Sequence, residues 1–192
     1  AMFTQGSWLN PPENWSADGA QLRVMTDEKT DFWRKTQYGF IRDSGHFFGT
    51  EIAGDFTAQL HVAAQYSALY DQAGMMVRID EQNWIKCGVE FSDGQLLLST
   101  VLTLDKSDWA VGIAPAMADG FWLRVTVEQG VIRVQYSTDG KLWPLLRLAP
   151  FPVAPRYRVG PMCCTPERGG LEVVFSQFST GPALQKALHD LS

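Results

Sequence analysis

The sequence predicts an all-β sandwich of two antiparallel sheets, followed by a short C-terminal helix. Short runs in which apolar and polar side chains alternate recur along the chain, and this is the period of a strand with one buried face. Turn signals built from Gly, Asn and Asp separate these runs at close intervals. Helical spacing is absent until residue 182. Many short alternating strands without intervening helices specify a sandwich and not an α/β fold.

Gln21 to Thr26 opens the series, with Leu22 and Val24 separated by Arg23. Asp31 to Phe40 is an aromatic-rich run containing Phe32, Trp33, Tyr38 and Phe40. In Asp55 to Val62, Phe56, Ala58, Leu60 and Val62 take one face, and Thr57, Gln59 and His61 the other. Gln72 to Ile79 directs Ala73, Met75, Val77 and Ile79 to a core. Leu96 to Leu104 is a further strand. Phe121 to Val127 alternates again and is joined by Gln129-Gly130 to Val131 through Tyr136. Leu148 to Pro155 cannot be a central strand, because proline donates no ladder hydrogen bond; it is an edge or a crossover. Tyr157 to Cys164 and Leu171 to Phe178 complete the sheets. Pro182 to Leu191 follows Gly181 and places Leu184, Leu188 and Leu191 at helical spacing, which predicts the terminal helix. No linker or repeat interrupts the 192 residues, so one domain spanning 1–192 is expected.

Composition narrows the function. The chain is 45% apolar and 12% aromatic, which excludes disorder and leaves aromatics beyond those a core needs. A net charge of −5 opposes nucleic-acid binding. No apolar run reaches the roughly 18 residues of a membrane span. Ala1 ahead of Met2 has the look of a tag remnant, and no signal peptide is visible. Cys87, Cys163 and Cys164 form no metal-ligand pattern, and their odd number favours reduced thiols and a cytoplasmic location. Cys163 and Cys164 are expected on opposite faces of a strand. Neither a metal nor a cofactor is expected: no dense acidic calcium loop, phosphate loop or dinucleotide fingerprint occurs.

The stretch Tyr70 to Phe91, YDQAGMMVRIDEQNWIKCGVEF, carries the strongest functional signal. It predicts two strands turning near Asp80–Asn83. In the second strand Ile85, Cys87, Val89 and Phe91 form an ordinary core face. The opposite face holds Trp84, Lys86, Gly88 and Glu90: an aromatic plate, a cation, a gap and a carboxylate. Asp71 and Gln72 then pair near the Glu90 end. The polar cluster Asp71, Gln72, Lys86 and Glu90 is either the floor of a binding surface or a buried salt bridge of Lys86 with Glu90 or Asp71.

Ordered motifs extend the signal. DFW (Asp31–Trp33), YGF (Tyr38–Phe40), GHFF (Gly45–Phe48) and GDF (Gly54–Phe56) are followed by YDQAG (Tyr70–Gly74) and MVR (Met76–Arg78). Then come W-x-K-x-G-x-E (Trp84–Glu90), SDW (Ser107–Trp109), Asp139-Gly140…Trp143 and VGPMCCTP (Val159–Pro166). Over roughly residues 8–178 the chain resembles a concanavalin A-like family of unknown function that includes a yeast protein described as a regulator of enolase. The resemblance implies a jelly roll with one concave sheet, in a fold shared with lectins, carbohydrate-binding modules and β-glucanases. It implies no established activity. The Glu-x-Asp-x-Glu strand of jelly-roll glucanases is absent.

A sugar site needs aromatic faces and planar polar groups that converge on one concavity. Trp84, Lys86, Glu90, Asp71 and Gln72 supply both kinds. Trp33, Tyr38 and Trp109 are either walls of that site or core residues. His46, in the loop SGHFFG, is either an acid, base or donor, or a histidine satisfied by backbone. The expected function is binding of a carbohydrate or sugar derivative on the concave sheet. The alternatives are a protein-interaction or regulatory module of carbon metabolism, and a hydrolase or isomerase using Asp71 and Glu90 as acid and base. Lys86 between the two carboxylates favours ionised groups and hence binding over acid catalysis. A triad of Ser107, His46 and Asp71 lacks the Gly-x-Ser-x-Gly elbow.

Overall fold

The computed structural model describes residues 3–192. Its strands are β1 (Ser7–Leu9), β2 (Asn14–Ala17), β3 (Gln21–Met25), β4 (Phe32–Arg34), β5 (Ile41–Asp43) and β6 (His46–Ala53). They continue with β7 (Phe56–Ala64), β8 (Gln72–Asp80), β9 (Asn83–Ser92), β10 (Gln95–Leu104) and β11 (Lys106–Ile113). The last are β12 (Phe121–Glu128), β13 (Val131–Ser137), β14 (Leu145–Pro150), β15 (Arg156–Cys164) and β16 (Glu172–Gly181). Sheet A has the order β1-β6-β15-β8-β9-β10-β11, and sheet B the order β14-β13-β12-β7-β16-β3-β2. All pairings are antiparallel. The proline-bearing 148–155 segment falls partly on β14, an edge of sheet B, where the missing proline donor costs nothing.

Strand alternation builds two apolar layers. Ala73, Met75, Val77, Ile85, Cys87 and Val89 of sheet A meet Leu60, Val62, Phe121, Leu123 and Val125 of sheet B in the main core. The other face of sheet A carries a second cluster, in which Met76, Trp84, Val101, Met162 and Cys164 pack with Phe32 and Trp33. Cys163 and Cys164 therefore enter different layers, and all three cysteines are free thiols. The second cluster exists because the β4–β5 hairpin lies over sheet A.

That hairpin is pinned at both sides. Arg34 and Lys35 reach Asp105 in the β10–β11 turn, and the Arg34 backbone N–H donates to Ser107 Oγ. Arg78 of β8 forms a two-pronged pair with Asp43, at 2.7 and 3.1 Å. Lys35 N–H donates to Phe40 O to close the hairpin, and Gly39 supplies a φ of 74° in its loop.

The expected terminal helix is not formed: the described residues contain no helix. From Pro182 onward the backbone carbonyls accept from β12, β13 and the β13–β14 connection instead. Trp143 N–H donates to Leu191 O, Arg124 to Ser192 O and Arg133 to Lys186 O. A ten-residue segment is too short to repay helix nucleation by itself, and these carbonyls find partners on sheet B and the β13–β14 connection.

Candidate functional site

The outer face of sheet A and the β4–β5 hairpin enclose a cavity of about 400 Å³. Its floor comes from β9. Lys86 and Glu90 lie there, both buried, with Gly88 between them on the same side. Gly88 has a φ of 152°, and a methyl group added there would collide with the Ala73 carbonyl across the pair, so the gap between the two charged groups is fixed. Gln72 stands opposite Glu90 in the β8–β9 ladder.

The buried ammonium of Lys86 has a partner not foreseen in the sequence. Its Nζ lies 3.1 Å from Asp31 Oδ1, where the chain enters β4, and not against Glu90 or Asp71. Burial disfavours the ammonium, but the Asp31 carboxylate leads the opposing charges and holds the Lys86 pKa above its ordinary value. Glu90 shows the reverse balance. Burial raises its pKa, and this outweighs the Trp109 hydrogen bond, the charge of Lys86 and the Ser99 hydroxyl. Trp109 Nε1 donates to Glu90 Oε1 at 2.8 Å.

Aromatic rings form the wall. Trp33 meets Trp109 edge-on, with centroids 6.2 Å apart, and Tyr38 stacks on Phe40 at 5.3 Å. Trp33 Nε1 donates to Thr36 O, which fixes the ring against the hairpin. Tyr70 completes this side. Its hydroxyl is raised in pKa chiefly by a hydrogen bond with Tyr38, with burial second.

Of the nine residues singled out in the sequence, six line this cavity: Trp33, Tyr38, Gln72, Lys86, Glu90 and Trp109. Three do not. Trp84 is buried beneath Phe32 and donates its indole N–H to Glu81 O. His46 accepts the Asp27 N–H at Nε2 and lies 2.7 Å from Asn10 O at Nδ1, so both ring nitrogens are occupied by backbone. Asp71 is wholly buried; it accepts from Arg168, at 2.6 Å for the shortest contact, and from the N–H groups of Ser67 and Ala68. Asp71 and Glu90 therefore do not flank a common space. The paper triad of Ser107, His46 and Asp71 fails too: Ser107 Oγ bonds to Thr103 and the Arg34 backbone.

Sequence reasoning passed over Asp31, Tyr70 and Glu167, which also line the cavity. Asp31 was within reach of inference, since a lysine on a buried strand face demands an acid and DFW was already a marked motif. Glu167 follows β15, and nothing local in the sequence ties it to β9. Among the described residues, no group of three His, Cys, Asp or Glu side chains is arranged to hold a metal ion, and no helix is long and apolar enough to cross a membrane.

Residues 8–183 match the family described as "Protein of unknown function (DUF1349)". The chain belongs to this family. It is 58% identical over 190 residues to "Regulation of enolase protein 1" of Saccharomyces cerevisiae, an alignment covering 99% of this chain and 96% of that one. A solved structure of a functionally unknown protein from Saccharomyces cerevisiae superposes with a TM-score of 0.94 at 56% identity, covering 96% of this chain and 100% of that one. A carbohydrate-binding module, CBM66 from Bacillus subtilis, superposes with a TM-score of 0.58 at 13% identity over 92% of this chain and 96% of the module. At that identity the likeness is one of fold alone. This DUF1349 chain is thus a two-sheet antiparallel sandwich of the kind found in carbohydrate-binding modules.

Proposed function

We propose that the cavity under the β4–β5 hairpin binds a carbohydrate or sugar derivative. The observation that carries this reading is the meeting of two surfaces in one open space. Trp33, Tyr38 and Trp109 offer aromatic faces, and Gln72, Lys86 and Glu90 offer amide, ammonium and carboxylate groups. Sugar rings present C–H-rich faces that pack on aromatics and hydroxyls that need planar polar partners. The polar groups here are already oriented: Lys86 by Asp31, and Glu90 by Trp109. Such preorganisation lowers the cost of ordering on binding. The volume of about 400 Å³ lies within the usual range for a small-molecule site. Asp71 is locked to Arg168 away from the cavity, which counts against a two-carboxylate hydrolase built on Asp71 and Glu90.

Calorimetric titration against mono- and oligosaccharides tests the reading. Binding that is weakened at least tenfold by Trp109→Ala is the expected result. No heat at millimolar ligand in either protein would sink it.

A second reading rests on the 58% identity to a protein named for regulation of enolase. The chain would then act as a regulatory module that contacts a carbon-metabolism enzyme. Surface plasmon resonance against purified enolase, with and without sugar, tests this; a flat response at micromolar enolase counts against it.

A further inference from the structure

We infer that the sugar taken by this cavity carries a free amine, an inference that rests on the carbohydrate reading above. The groups around the space are unbalanced in charge. Asp31, Glu90 and Glu167 are acidic, and Lys86 is the single base among the described lining residues. That base is already engaged, since its Nζ lies 3.1 Å from Asp31 Oδ1 and its side chain is only 5% exposed. An incoming anion would meet carboxylates without a free cation to receive it. An incoming ammonium meets the opposite situation.

Two features favour the ammonium beyond net charge. Glu90 spends Oε1 on the Trp109 indole and has no cation in salt-bridge contact among the described residues. Glu167 is exposed and forms no ion pair among the described residues. The wall facing them is built from Trp33, Tyr38, Phe40, Tyr70 and Trp109. Aromatic faces attract cations through their quadrupoles, and a ring of them beside carboxylates is a general solution for holding an organic ammonium. A cation placed beside the buried Glu90 offsets the burial that disfavours its carboxylate form. The Asp31–Lys86 pair stays closed. The hydroxyls of a sugar are left to Gln72, whose amide nitrogen has no partner among the described residues.

The experiment compares four sugars of one ring form at pH 6.5 by calorimetry: glucosamine, N-acetylglucosamine, glucose and glucuronate. Glucosamine is expected to bind about tenfold tighter than glucose, with glucuronate weakest, a preference that shrinks with added salt. Glu90→Gln and Glu167→Gln are each expected to lower the affinity for glucosamine more than that for glucose, so that their ratio falls below about threefold. Circular dichroism of both variants checks that they are folded. Equal affinity for glucosamine and glucose, or preference for glucuronate, overturns the inference and leaves the carbohydrate reading standing. Failure of all four sugars overturns both.

Discussion

Trp109 donates its indole N–H to Glu90 Oε1 at 2.8 Å across the width of β10, so a wall of the cavity is held by a carboxylate of its floor. The ring is 40% exposed although its nitrogen is bonded inward. Here the bond aims the ring at Trp33.

Trp109→Phe keeps an aromatic face and removes the donor. It is expected to cost about 1 kcal/mol of stability, the worth of one partly solvated hydrogen bond. Glu90 then loses a bond that lowers its pKa, so its carboxyl moves further up. Urea unfolding of wild type and variant measures the first effect, and carboxyl NMR titration the second. An unchanged Glu90 titration would show that the bond does not persist in solution.

Burial of Glu90 also sets a pH dependence. Its folded pKa lies above its unfolded value, with burial as the main cause. As pH rises through the ordinary glutamate range, near pH 4.3, the unfolded chain gives up this proton while the folded protein keeps it. Stability from this group is full below that point and is lost as pH rises toward the folded pKa. Other carboxyls, Asp105 and Asp139 among them, shift the opposite way and mask the effect in wild type. The difference between wild type and Glu90→Gln isolates it: the variant gains relative stability above about pH 5. Parallel curves from pH 4 to 8 would refute the burial-driven shift.

Asp71 invites a functional reading from its motif, YDQAG, but its surroundings are structural. Arg168 and two backbone N–H groups take up its oxygens, and the pair ties the loop before β8 to the loop after β15. Arg168→Met leaves a carboxylate buried and unpaired, with an expected loss of about 3 kcal/mol. Asp71→Asn combined with Arg168→Met should lose at least about 1 kcal/mol less than the sum of the single changes. Additive losses would mean that the two side chains do not interact energetically.

The strand pattern was legible because alternation is local. The two faces of β9 fall where the period of two places them, with Ile85, Cys87 and Val89 in the main core and Lys86 and Glu90 opposite. The wall and the counter-ion depend on chain crossings that no window of residues contains. Asp31 reaches Lys86 from 55 positions away, because the β4–β5 hairpin folds over sheet A. The same hairpin buries Trp84, which taken alone looks like a stacking platform. His46 was equally undecidable, since its two partners, Asn10 and Asp27, lie on separate segments. At the C-terminus the helical spacing of three leucines was real, but tertiary hydrogen bonds to Leu191 and Ser192 outweighed it.

The cysteines supply a final test of the layered packing. Cys163 faces the main core and Cys164 the layer under the hairpin, and both are buried, as is Cys87. Burial pushes the thiols of Cys87 and Cys164 up to about 12 and raises Cys163 well above its ordinary range. The thiolate is the reactive species, so native protein at pH 8 should resist a thiol reagent on both counts, access and ionisation. With Ellman's reagent the native chain is expected to release almost no chromophore over minutes. Denatured in guanidinium, it should release the equivalent of its three free thiols. Because the adjacent pair enters different layers, a Cys163–Cys164 disulfide would require one side chain to leave its layer. Fast labelling of one thiol in the native state would show that the hairpin lifts from sheet A, exposing Cys164 and opening the cavity. Denatured protein that releases only one equivalent would reveal a disulfide between the neighbours and contradict the two-layer placement.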